Sequence, residues 1–396
     1  MSLSRFNFLK FLRGKQILPM CIAAALLAGP VWSQSYTLTT TSYPSLMLTQ
    51  STTFTDLGAA VKKIEDSGKV TKTPFLNMIL NRTGSSGGVV LGSYTVTDKF
   101  IYNSDDNSSG SYPQGMSTSS DSIGGSGLIN NQYWVVETWD APNNAYLSLM
   151  LYDYSTKSYR WVEMVQPSLT TNNEVGADFT GIQRHGDGIV WYGHYLYVAD
   201  GCYGFRVFDT DHLWAISSWN GTDGYDASVH QFHSNGRAYA MPQIGFYRFT
   251  NGWTCPSGFS GLAGASLNRG SNSYIMGWGL DGTITKWLFD GTGLLALDQN
   301  NVAQPVDGWH LSMLTNDRLF ATTIVGSQLY TSVEPAGADC HAAAMLGKYP
   351  VTGGTDTSPT QINGCVEALS YDLSGNRLWA DSEEPGNKIT FAITPP

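Results

Sequence analysis

The stretch Gly188–Asp209, GIVWYGHYLYVADGCYGFRVFD, decides the fold. It holds three runs of strand-forming residues, GIVWY, YLYVA and GFRVFD, with Gly, Asp and Cys between them. β-branched and aromatic residues fit a pleated surface, and the glycines supply the backbone freedom that tight turns need. The runs are apolar almost throughout, with no alternating polar face, which marks strands buried on both sides. Three consecutive strands of one sheet, with turns at Tyr192-Gly193 and at Gly201 to Gly204, are the expectation.

The same texture extends along the chain. QYWVVETWD, YLSLMLYDY, YRWVEMV, SYIMGWGL, TITKWLFD, RLFATTIVG, QLYTS, RLWADS and KITFAI alternate with APNN, STKS, DG, GSN and SGN. Charged residues make up only 14% of the 396 residues, whereas Gly (43), Tyr (21) and Trp (12) are abundant, a balance that favours many short strands over long surface helices. One helical pattern stands out, DLGAAVKKIEDSG, with Thr55 or Asp56 as cap and Gly68 as stop.

A phrase recurs: a small or polar residue, an apolar strand, a tight turn, then a second strand rich in Leu, Tyr or Trp. It begins near Gln114, His185, Ala263, Gln304 and Glu367. Repeats of this kind build propellers, in which each blade buries both faces against its neighbours and its first strand lines a central channel. The expected fold is all-β, a β-propeller of five blades with a small N-terminal helical appendage. Unequal steps leave a sixth blade as the alternative, in residues 220–256 or in the N-terminal segment. GSYTVTDKFIY, before residue 103, is the candidate for a strand that closes the ring.

Residues 1–33 read as a secretory signal peptide: Arg5, Lys10, Arg13 and Lys15, then an apolar run from Ile17 to Leu27, then AGPVWS. Residues 34–100 then form an N-terminal segment with the helix and the closing strand, and 101–396 the propeller. Without residues 1–33 the chain keeps 18 basic against 32 acidic residues, a formal charge of −14, which argues against nucleic acid as a partner. No later run is apolar enough to span a bilayer. The expected location is extracellular, with no membrane partner. Cys202, Cys255, Cys340 and Cys365 are an even set for an oxidising compartment. Of three connectivities, Cys202 with Cys255 and Cys340 with Cys365 is preferred, because each pair closes a loop of modest length.

YPQG with SSD, HGDGIVWYGHYLYVAD with GFRVFD, MPQIG, SLNRG and the terminal EALSYDLSGNRLWADSEEPGNKITFAI together resemble a group of uncharacterised secreted proteins of bacteria and fungi. The resemblance covers residues 100–394 and implies a propeller-like fold and secretion. It supplies no catalytic residues. More distantly, VEALSYDLSGNRLW is similar to the phrase that opens blades in six-bladed lactonase-like and phytase-like propellers. That likeness implies an acidic, metal-binding residue at Glu367, although Val366 and Ala368 stand where those families carry Pro and Gly.

The starts of the inner strands should converge at one mouth of the channel and bring together Gln114, His185, Gln304 and Glu367, with Tyr112, Arg184 and Asp187 beside them. Such a lining is also what any water-filled channel needs. His185 is the candidate acid/base, with Gly186 and Gly188 leaving room for a ligand. Arg184 would hold a carboxylate, and Tyr112 or Glu367 would complete proton transfer. Trp139, Trp219, Trp253 and Trp309, near expected turns, are candidates for stacking against sugar rings, whereas Trp134, Trp161, Trp191, Trp287 and Trp379 read as packing between blades. Motifs of serine hydrolases, zincins and nucleotide-binding proteins are absent from the sequence. The leading expectation is action on extracellular carbohydrate, as a polysaccharide lyase or glycoside hydrolase. The alternatives are a non-catalytic sugar- or protein-binding propeller, and an esterase, lactonase or phosphatase with a divalent metal on Glu367 in the channel.

Overall fold

Strand Gly188–Tyr192 shows how the ring is built. Ile189 and Trp191 point to one side, into a core shared with Trp134, Val136, Leu149 and Val162. Val190 points to the other, into a core shared with Ala265, Leu267, Ile275 and Trp287. A strand has a side-chain period of two, so a strand with a sheet on each face must be apolar at every position. Gly188–Tyr192, Tyr195–Ala199 and Gly204–Asp209 pair antiparallel in sequence order, with the fourth strand Tyr239–Phe249 outside them. We call this sheet blade 2.

The computed structural model describes residues 35–396 apart from 52, 87–93, 142–145, 220, 222, 251–253, 337–343, 357–358, 363 and 384–387. Four more blades share the pattern of blade 2. Blade 1 runs outward from Tyr112–Thr118 through Gln132–Asp140 and Leu147–Asp153 to Ser158–Leu169. Blade 3 comprises Gly264–Arg269, Ser273–Trp278, Thr283–Leu288 and Pro305–Ser312. Blade 4 comprises Arg318–Val325, Gln328–Glu334, Ala344–Pro350 and Thr360–Ile362, and blade 5 Leu369–Asp372, Arg377–Ser382 and Ile389–Ile393. The first strands of the blades pack against one another in cyclic order, blade 5 against blade 1 included. The protein is an all-β propeller of five blades.

Val96–Ile101 supplies the fourth strand of blade 5, pairing Ile101 with Ile389 and Phe100 with Thr390, so the start and end of the ring share one sheet. The rest of the N-terminal segment spreads over three other blades. Tyr36–Thr41 extends blade 3, Leu48–Gln50 pairs with the outer strand of blade 2, and Arg82–Thr83 pairs with that of blade 1. Helix Thr53–Asp66 buries Leu57, Ala60, Val61 and Ile64, one face at helical spacing. Three of these pack on Val165, Phe179, Trp214 and Ala240 of the outer strands of blades 1 and 2 and their neighbours.

Two expectations change at this level. Gln304 does not begin an inner strand: it precedes the outermost strand of blade 3, is exposed, and bonds Asp298 at 2.9 Å. That strand lies between Thr283–Leu288 and the added strand Tyr36–Thr41, and half of its residues are exposed. The inner strand of blade 4 begins instead at Arg318. Residues 217–235 hold no sixth blade but a three-stranded insertion between the third and fourth strands of blade 2, Ser217–Trp219, Gly224–Asp226 and Gln231–Asn235.

Candidate active site

At the N-terminal ends of the inner strands the ring opens into a cavity of about 690 Å³. Each blade contributes in a regular way. The start of its first strand supplies Tyr112 and Gln114 (blade 1), His185 and Asp187 (blade 2), Ala263 (blade 3), Arg318 and Phe320 (blade 4) or Glu367 (blade 5). Antiparallel pairing then returns the end of the second strand to the same mouth, adding Asp140, Leu280, Glu334 and Glu383 from blades 1, 3, 4 and 5.

His185 is fixed from both sides. Its Nδ1 pairs with Asp140 and its Nε2 lies 3.1 Å from Asp187. The loop carrying it is pinned to blade 1, with Gly186 N–H donating to Asp140 Oδ1 at 3.0 Å and Thr138 Oγ1 donating to the Gly186 carbonyl at 2.9 Å. Gly186 and Gly188 do not leave room for a ligand. A Cβ on Gly186 would lie 2.4 Å from Leu147, and one on Gly188 2.3 Å from the backbone nitrogen of Ala265. The glycines let neighbouring blades touch.

Burial alone would lower the His185 pKa, but the hydrogen bond to Asp140 and the charges of Asp187, Asp140 and Glu383 outweigh it and push it up to about 9. The ring is therefore an imidazolium at neutral pH. Burial pushes Asp187 up to about 7, against the pull of that imidazolium and with help from Asp140 and Asp200. Its Oδ2 also accepts the Gly201 N–H at 3.2 Å. Glu367 is 8% exposed. Burial, with Glu383, Asp381, Asp187 and Glu334 around it, raises its pKa well above its ordinary value and so favours the neutral acid. Glu383 accepts from Gln114 Nε2 at 3.0 Å.

Of the residues expected at the mouth, Tyr112, Gln114, His185, Asp187 and Glu367 line it. Arg184 does not: it is exposed, and its guanidinium lies over the Tyr203 ring at 5.0 Å. Trp139 is fully buried, its ring against Tyr102 and Trp161 and its Nε1 donating to Glu137 at 3.0 Å. Trp309 is 5% exposed, donates to the Val351 carbonyl and borders a separate cavity of about 450 Å³, so neither indole lines the channel mouth. Trp219 stands in the insertion strand, and Trp253 lies outside the described residues. Cys202 and Cys255 form a disulfide; Cys340 lies outside the described residues, and Cys365 is buried.

The sequence reading missed Asp140, Glu334, Glu383, Arg318 and Phe320. The signal for the first three was an acid closing a second strand, in ETWD, TSVE and ADSE. Among the described residues, the one group of three metal-ligating side chains with ligand atoms within 4.8 Å of one another is His194, Asp209 and Asp211. It sits at the opposite end of blade 2, and Glu367 belongs to no such group.

No protein-family model matches the chain, and no curated protein matches it. Among solved structures it is similar to the β-propeller domain of Swd1 from Myceliophteria thermophila, at 9% identity and a TM-score of 0.35 over 76% of this chain and 100% of that one. It is also similar to an exo-β-1,3-galactanase from Phanerochaete chrysosporium, at 7% identity and 0.37 over 78% and 64%. An α-L-arabinofuranosidase from Clostridium thermocellum aligns at 10% identity and 0.28 over 69% and 81%. Likenesses this distant add nothing to the ring described above. No helix among the described residues is long and apolar enough to cross a membrane.

Proposed function

We propose that the protein is a secreted glycoside hydrolase. One arrangement carries this reading: a buried Glu367, its pKa raised by burial and by the acids around it, shares the channel mouth with Asp187, a carboxyl pushed up to about 7. Two carboxyl groups held in opposite protonation states are what cleavage of an acetal requires, one to protonate the leaving oxygen and one to activate water or attack carbon. Glu367 is the general acid. Asp187, ionised above about pH 7, is the base or nucleophile. His185 is a positioning residue whose cation lowers the Asp187 pKa. Gln114 and Tyr112 offer polar edges to sugar hydroxyls.

The lyase alternative assigns His185 as base and Arg184 to a uronate. An imidazole pushed up to about 9 between Asp140 and Asp187 is mostly protonated at neutral pH and so poorly suited as the base, and Arg184 lies over Tyr203. The hydrolase reading therefore has the better support.

Incubating the purified chain with a panel of neutral and acidic polysaccharides, and reading both reducing ends and the ultraviolet absorbance of unsaturated uronates, tests it. Reducing ends without unsaturated products are expected. Glu367→Gln should cut turnover by roughly 10²- to 10⁴-fold while glycan binding persists. Unsaturated products would establish the lyase. Binding without turnover would leave a sugar-binding propeller, and full activity of Glu367→Gln would remove the acid assigned here.

A further inference from the structure

Beside the mouth, the insertion of blade 2 walls off a second cavity of about 470 Å³, lined by Tyr146, Thr180, Gln183, Asp223 and Asn235 among others. Gly221 and Asp223 also border a further space of about 360 Å³ along Tyr225 and Asp226. This cleft adjoins the mouth by two routes. Gln183 is two residues before His185, and Ala141 of the mouth donates its N–H to the Tyr146 carbonyl at 3.0 Å.

The lining is polar and largely uncommitted. The side chains of Thr180, Gln183 and Asn235 make no hydrogen bond to another described residue, while the Asn235 N–H fixes Asp223 Oδ1 at 2.8 Å. Behind the wall stands Glu163, 1% exposed, whose Oε1 has no hydrogen-bond partner. It faces the bare Cα of Gly181: a Cβ there would lie 3.2 Å from Glu163 Oε1 and 2.5 Å from Asp223 Oδ2. A buried carboxyl oxygen without a partner is costly unless something meets it. Burial and the neighbouring Asp223 push Glu163 up to about 8 against the charge of Arg237, whose Nε lies 4.0 Å from its Oε2. Amide, hydroxyl and carboxyl groups in a row, with tyrosine rings at Tyr146 and Tyr225, match the hydroxyl edges and apolar faces of sugars.

We propose that the lateral cleft binds the remainder of a neutral glycan chain whose reacting residue lies in the channel mouth, so that the substrate is an oligosaccharide or polysaccharide and not a small glycoside. This rests on the hydrolase reading for the mouth, but the cleft is tested by binding alone. Neutrality follows from Asp223 and Asp226 along the cleft and the carboxyls of the mouth, which would repel a polyanion.

The test is titration calorimetry of the full-length Glu367→Gln chain with neutral oligosaccharides, disaccharide to hexasaccharide, from partial acid hydrolysis of galactan, arabinan, xylan and cellulose. Affinity should climb with length beyond the disaccharide for at least one series. Asn235→Ala and Gln183→Ala, each checked for an unchanged melting temperature, should lose roughly tenfold in affinity for the longer members and little for the disaccharide. Affinity that is flat with length, a length gain that survives both substitutions, or no binding of any series would overturn the proposal. If the longer members bind as expected but the unsubstituted chain does not cleave them, the hydrolase reading falls and the cleft stands.

Discussion

His185 illustrates how neighbours set a residue's task. Unflanked, an imidazole with an ordinary pKa of 6.5 exchanges protons near neutrality; between Asp140 and Asp187 it is held charged up to about 9. The folded value lies above the unfolded one, so its contribution to stability is complete below about pH 6.5 and is lost as pH rises through about 9. Its effect on Asp187 has the opposite sense, since the imidazolium lowers that carboxyl's pKa. Activity that needs ionised Asp187 should rise through about pH 7 and decline when the imidazolium or the Glu367 proton is lost. His185→Gln removes the cation. The acid limb of kcat/KM against pH should then move upward, whereas a purely structural histidine would lower activity at every pH without moving the limb. An unmoved limb would end the assigned coupling.

At the scale of elements, the channel mouth is assembled by a rule that the chain repeats: the start of a first strand and the end of a second strand meet. The inner strand at His185 was legible because its turns carry Gly and its run is apolar on both faces. Asp140, Glu334 and Glu383 were not, since an acid closing a strand acquires meaning only once the register brings it back to the channel, as Tyr112 opposite Asp140 shows. The Gln304 phrase failed because it opens a strand flanked on both sides, by Thr283–Leu288 and Tyr36–Thr41, far from the channel, with half of its residues exposed. Linking the turn after Tyr195–Ala199 to the approach to blade 3, the Cys202–Cys255 disulfide sits beside the bridge between Gly201 and Leu262. It closes a loop of 53 residues that includes the cleft-forming insertion. Replacing both cysteines by serine should lower stability by about 2–4 kcal/mol in urea unfolding, by freeing that loop in the unfolded chain. A change near zero would mean that the bridge holds the insertion without constraining the fold.

For the whole molecule, closure of the ring is the step that local pattern cannot supply. Ile101 pairs with Ile389, so strands on either side of the other four blades in sequence must meet before blade 5 is complete. Until they do, Ile389–Ile393 is paired only on its inner side, with Arg377–Ser382. Phe100 is the residue on which this closure concentrates. It is fully buried, stacks on Tyr152 at 4.5 Å between ring centroids, and meets Tyr102 and Tyr159 edge-on, joining the closing strand to blade 1. Phe100→Ala leaves a cavity at the seam and should destabilise the protein by about 3–5 kcal/mol. Every blade contacts two others, so the loss should move the whole unfolding transition to lower urea as one cooperative step seen equally by tryptophan fluorescence and circular dichroism. Separate transitions by the two probes would instead show blades that stay folded in an open arc, and would remove closure as the source of the ring's cooperativity.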